Sequence, residues 1–327
     1  MNRMLDLLAT RTARKTRGRP PDMGDPSGPP KRRTLRRLAP VALLLGIPAA
    51  FIVLHCVRAA RDEASLFRPP RDPIVVPPAL AGVELRDATF EAAGSIAIRG
   101  WYTPSKNRAA VLLAHGSGAN RAQLATEMRA LHDNGFGVLA FDLPGHGESG
   151  GIVEYGAGER AALRAAMSFL EAQPEVDPRR LGAFGFSIGA SLVAMDAPED
   201  PRMRAIVLLS PFADSDEQTR NQFGRWRPIV GWPAVWVDHW FMPEAPLRPV
   251  DAVRGLQGRD LLIIVSSNDG IVPAWMSERV YDAATARKEL LVVPHEGHGG
   301  FDALAPGVYG ERLVAFFRRT LLGNGGS

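Results

Sequence analysis

A chain of 327 residues, 46% of them apolar, holds enough hydrophobic material for one large or two modest domains and excludes disorder throughout. Its net charge of +4 is unevenly placed: residues 1–37 carry eleven Lys or Arg against Asp6, Asp22 and Asp25, while the remainder is acidic, which argues against a nucleic-acid-binding domain. Cys56 is the single cysteine, so an intramolecular disulfide framework and a cysteine-built zinc cage are excluded.

Residues 1–37 are rich in Arg, Pro and Gly, lack apolar periodicity and are expected to form a disordered basic tail. Residues 38–57 contain no formal charge between Arg37 and Arg58, although Pro40, Gly46, Pro48 and His55 interrupt the apolar run. At about 1.5 Å per residue, a helix of that length just crosses a bilayer core of about 30 Å, so a transmembrane signal anchor is expected. Lys31, Arg32, Arg33, Arg36 and Arg37 precede it, and this positive bias predicts a cytoplasmic N-terminus with the large domain outside the cytoplasm. The alternative is export followed by cleavage of the apolar segment. Residues 58–80, with five prolines after Leu66, read as a stiff linker, and a folded domain is expected over 81–322.

Within that domain, "VELRDATFE" and "SIAIRGWYTP" predict an antiparallel pair of early strands. "AAVLLAHG", "FGVLAFDL", "RLGAFGFS", "RAIVLLSP", "DLLIIVSS" and "ELLVVPH" are short continuous apolar runs, the pattern of strands buried on both faces of a parallel sheet. Helical segments are predicted near 121–133, 157–172, 188–196 and 308–321. This alternation specifies an α/β fold with a mostly parallel central sheet. An insertion over about 211–258 breaks the rhythm and holds Trp226, Trp232, Trp236 and Trp240. On a helix, Trp232, Trp236 and Trp240 share one face. Packing against the domain, a lid over an apolar substrate and a membrane contact are all compatible with that spacing.

Chemistry concentrates in "LGAFGFSIGASLVA", residues 181–194, where Ser187 stands between Gly185 and Gly189 at a junction of strand and helix. A serine hydroxyl is a poor nucleophile at neutral pH and needs both a base and an exposed position, which a sharp strand-to-helix turn supplies. The competing reading is a serine that only caps the helix. A base is expected after the last strand, and His298 in "VPHEGHGGF" is preferred over His295 because Gly297 and Gly299 free its loop to reach inward. Asp269, in a turn directly after "LLIIVSS", is the expected orienting acid. The amides of Ile188 and of Ser117, the latter flanked by Gly116 and Gly118, are the expected oxyanion donors.

These motifs, in the order His115-Gly116, "DLPGHGES" at 142–149, the elbow at 185–189, Asp269 and His298, resemble the α/β-hydrolase superfamily over about residues 83–321. Within it the likeness is to serine-aminopeptidase-like or lysophospholipase-like hydrolases, including membrane-anchored members. The chain departs from proline iminopeptidases, which carry Gly-Gly-Ser-Trp-Gly at the elbow, and from relatives with a nucleophilic Asp. The resemblance implies an α/β-hydrolase fold with a lid-like insertion and a serine hydrolase of carboxylic esters, with a small-molecule or lipid-like substrate and no metal or organic cofactor. Thioesterase or acyl-peptide hydrolase activity on the same residues, or a non-catalytic membrane-tethered binding module, are the alternatives.

Overall fold

The computed structural model describes residues 32–71, 73–222, 227–242, 244, 246–300 and 308–323. Of the basic tail expected to be disordered over 1–37, residues 1–31 lie outside the described residues, as does Trp226, whereas 32–37 open a helix. The chain divides into two compact units, residues 1–50 and residues 51–327. The described part of the first is helical and belongs to α1 (Arg32–Leu66). A 23-residue stretch of α1, Leu44–Leu66, is long and apolar enough to cross a membrane, with a mean hydropathy of 1.5 over an 18-residue window. It therefore has the character of a membrane anchor or a signal sequence.

α1 outruns the apolar segment. Residues 58–66, expected in the linker, are helical. "RAARDEASL" is built largely of good helix formers, and the prolines that stop the helix begin only at Pro69.

The second unit is built on one eight-stranded sheet: β1 (Arg86–Ala92), β2 (Ile96–Thr103), β3 (Ala110–Ala114), β4 (Gly137–Phe141), β5 (Leu181–Phe186), β6 (Ala205–Leu209), β7 (Asp260–Asn268) and β8 (Arg287–Glu296). Their order across the sheet is β1-β2-β4-β3-β5-β6-β7-β8. β1 and β2 form the expected antiparallel pair, β2 is also antiparallel to β4, and the strands from β4 to β8 run parallel. β3, β4, β5 and β6 are buried along their whole length, which is why their sequences read as continuous apolar runs rather than as alternation.

Helices cover both faces. α2 (Ala125–Asp133) and α9 (Val308–Phe317) pack one face through Met128, Leu131, Leu313 and Phe317. On the other face lie α3 (Ala157–Glu171), α4 (Ile188–Asp196) and α8 (Ala274–Ala283), with Leu163, Met167, Leu192 and Met276 in the core. The predicted 121–133 helix divides into a 3₁₀ turn over Arg121–Leu124 and α2. α8 was not legible as a separate helix in the sequence. The insertion contributes α5 (Ser215–Asn221), α6 (Arg227–Phe241) and the short α7 (Pro249–Ala252).

Because β3 lies between β4 and β5 at the centre of the sheet, truncating its side chains should be costly. Leu112→Ala, at a position with no solvent exposure, is expected to lower the unfolding free energy by about 2–5 kcal/mol in urea melts. A change within about 0.5 kcal/mol, as for an ordinary surface substitution, would contradict this placement.

Candidate active site

β5 ends at Phe186 and α4 begins at Ile188, so Ser187 alone makes the turn. Its backbone sits at φ 55°, ψ −118°. A non-glycine residue held at such angles costs on the order of 1–3 kcal/mol and persists only where its surroundings over-determine it. Here the Ser187 amide donates to the Leu209 carbonyl of β6 at 2.9 Å, and its own carbonyl accepts from the Ser191 amide at 3.0 Å. The two flanking glycines are sterically required. A Cβ at Gly185 would lie 2.4 Å from the Gly189 carbonyl oxygen, and one at Gly189 would lie 2.4 Å from that of Ala114.

Asp269 follows β7 directly and is almost fully buried. Its Oδ1 accepts from the amides of Ile271 at 2.8 Å and Val272 at 2.9 Å, which fixes the carboxylate plane. Its Oδ2 lies 2.7 Å from His298 Nδ1, and His298 Nε2 lies 2.8 Å from Ser187 Oγ. With Nδ1–H donating to the carboxylate, Nε2 is left unprotonated and able to accept the serine proton. The loop carrying His298 is held by the Gly297 amide, which donates to the Asn268 carbonyl at 3.0 Å. Gly299, at φ 80°, leaves room for the Phe186 ring, which lies 4.9 Å from the His298 ring centroid to centroid. His295 belongs to β8, and its side chain is outside the described set.

Opposite the serine, the loop after β3 carries Gly116, Ser117 and Gly118. The Gly116 amide donates to Gln123 Oε1 at 2.7 Å and the Gly118 amide to His146 Nε2 at 3.4 Å. Between them the Ser117 amide has no acceptor among the described residues. The Ile188 amide opens α4 and has no carbonyl four residues earlier in the helix to bond. The loop is pinned by His115, whose Nδ1–H donates to the Gly116 carbonyl at 2.7 Å while Nε2 accepts from the Leu143 amide at 3.0 Å. Complete burial pushes the His115 imidazole down to about 3, and burial also lowers that of His146, so both rings stay neutral and structural.

Comparisons with known proteins bear on the fold that carries these residues. A family model described as serine aminopeptidase, S33 matches residues 105–259. An uncharacterised protein of Mycobacterium tuberculosis is 32% identical over 238 residues, covering 72% of this chain and 80% of that one. The protein YfhR of Escherichia coli K12, also uncharacterised, is 27% identical over 83% of this chain and 93% of its own. The chain belongs to the serine aminopeptidase S33 family of α/β-hydrolases. Among solved structures, an esterase of Pyrococcus furiosus superposes with a TM-score of 0.67 at 23% identity, covering 78% of this chain and 98% of that one. Acetyl xylan esterase 1 of a Thermoanaerobacterium superposes at 0.55 and 18% identity, covering 81% and 93%. At these identities the two esterases establish the shared fold.

In this family member Ser187 and His298 open onto a cleft of about 350 Å³. Its walls are largely apolar, with Phe212, Met242, Leu247 and Val272 among them. Sequence reasoning missed three contributors. Leu66 and Phe67, at the end of α1, line the cleft, and Phe67 stacks on Phe241 of α6 at 4.8 Å. Tyr155 hydrogen-bonds the Ser117 hydroxyl and so steadies the loop after β3. The signal for the α1 contact was the apolar stripe Ala59, Leu66 and Phe67, hidden by treating 58–80 as a linker. Packing against the domain, one of the three readings of the tryptophans, does not hold: Trp232, Trp236 and Trp240 share the outer face of α6, exposed by 47%, 70% and 85%. Ala234, Val235 and Asp238 turn inward instead.

Two outcomes follow from this geometry. Gly189→Ala should abolish covalent labelling of Ser187 by a fluorophosphonate, because the new methyl cannot coexist with the Ala114 carbonyl; unchanged labelling would contradict the elbow packing. The folded His115 binds a proton less readily than the unfolded side chain, so its contribution to stability is fully present above about pH 6.5 and is lost as pH falls toward 3. His115→Asn should therefore show a shallower loss of stability than the native chain over that window in acid denaturation. Parallel curves would contradict a buried neutral imidazole.

Proposed function

We propose that this chain is a serine hydrolase that cleaves carboxylic esters through an acyl-enzyme. The observation that carries the reading is the unbroken hydrogen-bonded line from Asp269 through His298 to Ser187, aimed into an apolar cleft. Ser187 Oγ attacks the ester carbonyl and passes its proton to His298 Nε2. Asp269 holds the imidazole tautomer and stabilises the imidazolium. Negative charge moves to the carbonyl oxygen, which the amides of Ser117 and Ile188 receive. The tetrahedral species collapses as His298 protonates the departing alcohol, leaving the acyl group on Ser187. Water, deprotonated by His298, then attacks the acyl carbonyl and releases the acid and the free serine.

The apolar walls favour an acyl chain or lipid-like ester. The N-terminal apolar helix and the basic residues before it support a single-pass anchor with the N-terminus in the cytoplasm and the hydrolase domain on the far side. External protease should then digest the domain in intact spheroplasts; digestion only after the membrane is breached would overturn that orientation.

For the chemistry, the purified full chain is expected to take up a fluorophosphonate probe and to hydrolyse p-nitrophenyl esters. Ser187→Ala should lose labelling entirely. Asp269→Asn should keep the fold while kcat drops by about 10⁴, as expected when the imidazole is left in the wrong tautomer. A folded native chain that neither labels nor turns over any ester would favour a binding module instead.

A further inference from the structure

Tyr155 is placed where three parts of the molecule meet, and no step of the reaction uses it. It precedes α3 with its backbone at φ 48°, a left-handed conformation that a residue other than glycine keeps only where its surroundings hold it. The amides on either side, of Glu154 and Gly156, donate to the buried Glu159 carboxylate of α3 at 2.9 and 2.8 Å. The turn is thereby fixed, and the Tyr155 side chain is buried.

From there the side chain reaches the loop after β3 at two points. Its oxygen hydrogen-bonds the Ser117 hydroxyl, and its ring lies 6.2 Å, centroid to centroid, from that of His146, which holds the Gly118 amide. The same side chain meets the end of α1. Its hydroxyl donates to the carbonyl of Leu66, the last residue of that helix, at 3.4 Å, and its ring packs on that of Phe67 at 5.4 Å. A phenol carries one hydrogen, so Leu66 takes it and the Ser117 hydroxyl donates to the Tyr155 oxygen. Burial pushes the Tyr155 hydroxyl up from its ordinary range, and it keeps that hydrogen.

α1 ends in a seat rather than in a free linker. Phe67 stacks on Phe241 of α6, Ala59 packs with Ala234, and Arg71 donates to the carbonyls of Ser149 at 3.1 Å and Gly151 at 3.3 Å. Tyr155 connects this seat to the Ser117 loop.

We propose that Tyr155 is a positioning residue through which the end of α1 sets the Ser117 amide for the oxyanion. The proposal rests on the hydrolase reading and on that amide as an oxyanion donor. Negative charge gathers on the carbonyl oxygen only in the tetrahedral step, so a displaced donor weakens the transition state more than it weakens substrate binding. The helix that carries the apolar segment is then part of the working enzyme, and its removal costs turnover as well as attachment.

The test uses the full-length chain and matched pairs of esters and thionoesters, in which sulfur replaces the carbonyl oxygen. Donors set for an oxyanion fit the larger sulfur poorly, so the ratio of the two kcat/KM values reads the alignment of the donors rather than the integrity of the fold. Tyr155→Phe keeps the ring and loses the hydroxyl. It should lower kcat on the oxygen ester roughly tenfold, with KM within about twofold, and shrink the ratio by a similar factor, the scale of one hydrogen bond to a charged group. Ser117→Ala deletes the same hydrogen bond from the loop side and should shrink the ratio to the same extent, which separates the effect from any folding defect of the tyrosine variant. Phe67→Ala unseats the end of α1 and should also shrink the ratio, yet add little when combined with Tyr155→Phe, because both act through one connection. A native ratio in the Tyr155 and Ser117 variants, or an equal fall on both esters, would overturn the proposal, and additive effects of Phe67→Ala and Tyr155→Phe would overturn the part given to α1. If the native chain neither labels with fluorophosphonate nor cleaves esters, the hydrolase reading fails separately, and amide hydrogen exchange decides the coupling. Faster exchange over 115–119 in both Tyr155→Phe and Phe67→Ala supports it, and unchanged exchange overturns it.

Discussion

The rest of the site depends on the backbone of one residue, Ser187, held at φ 55° between the end of β5 and the start of α4. That conformation lifts the hydroxyl above the sheet edge and aims the Ile188 amide at the same space. It requires absent side chains at Gly185 and Gly189, a carbonyl from β6 to accept the Ser187 amide, and β3 close enough that Ala114 touches Gly189. The strain is therefore distributed over three adjacent parallel strands, and the order β3-β5-β6 at the centre of the sheet is what makes it sustainable.

Around that turn the other groups arrive on loops at the same edge of the sheet, each fixed by hydrogen bonds of its own. Asp269 is held by two backbone amides, and the His298 loop is held by Asn268. The Ser117 loop is clamped by Gln123, His115, His146 and Tyr155. Neutral buried histidines suit this clamping because a ring with one donor and one acceptor bridges two backbones without introducing charge. The buried Arg121–Asp142 ion pair closes the same region, with Asp142 also accepting from the amides of Arg121 and Glu148.

Much of this was legible in the sequence because it follows from short-range rules. Strands buried on both faces must read as unbroken apolar runs, as "AVLLA" and "AIVLL" do. A glycine on either side of Ser187 is visible as spacing, and Asp269 and His298 stand directly after apolar runs that end the sheet. The roles of Tyr155 and Gln123 were not legible. Each depends on which loop meets which across the fold, and no local pattern encodes that meeting. The continuation of α1 to Leu66 was obscured by the prolines just beyond it, which drew the whole of 58–80 into one linker. The outward tryptophans of α6 show the limit of periodicity, which places residues on a common face without saying what that face meets.

The account centres on Ser187 as a nucleophile that becomes acylated. Rapid mixing of the full-length chain with a chromogenic ester, followed by acid quench and peptide mapping, tests this most directly. The account predicts a burst of alcohol approaching one equivalent per active chain, with the acyl group recovered on the peptide containing Ser187. Steady release with no burst and no acylated Ser187 peptide, even at low pH or with slow-deacylating esters, would contradict it.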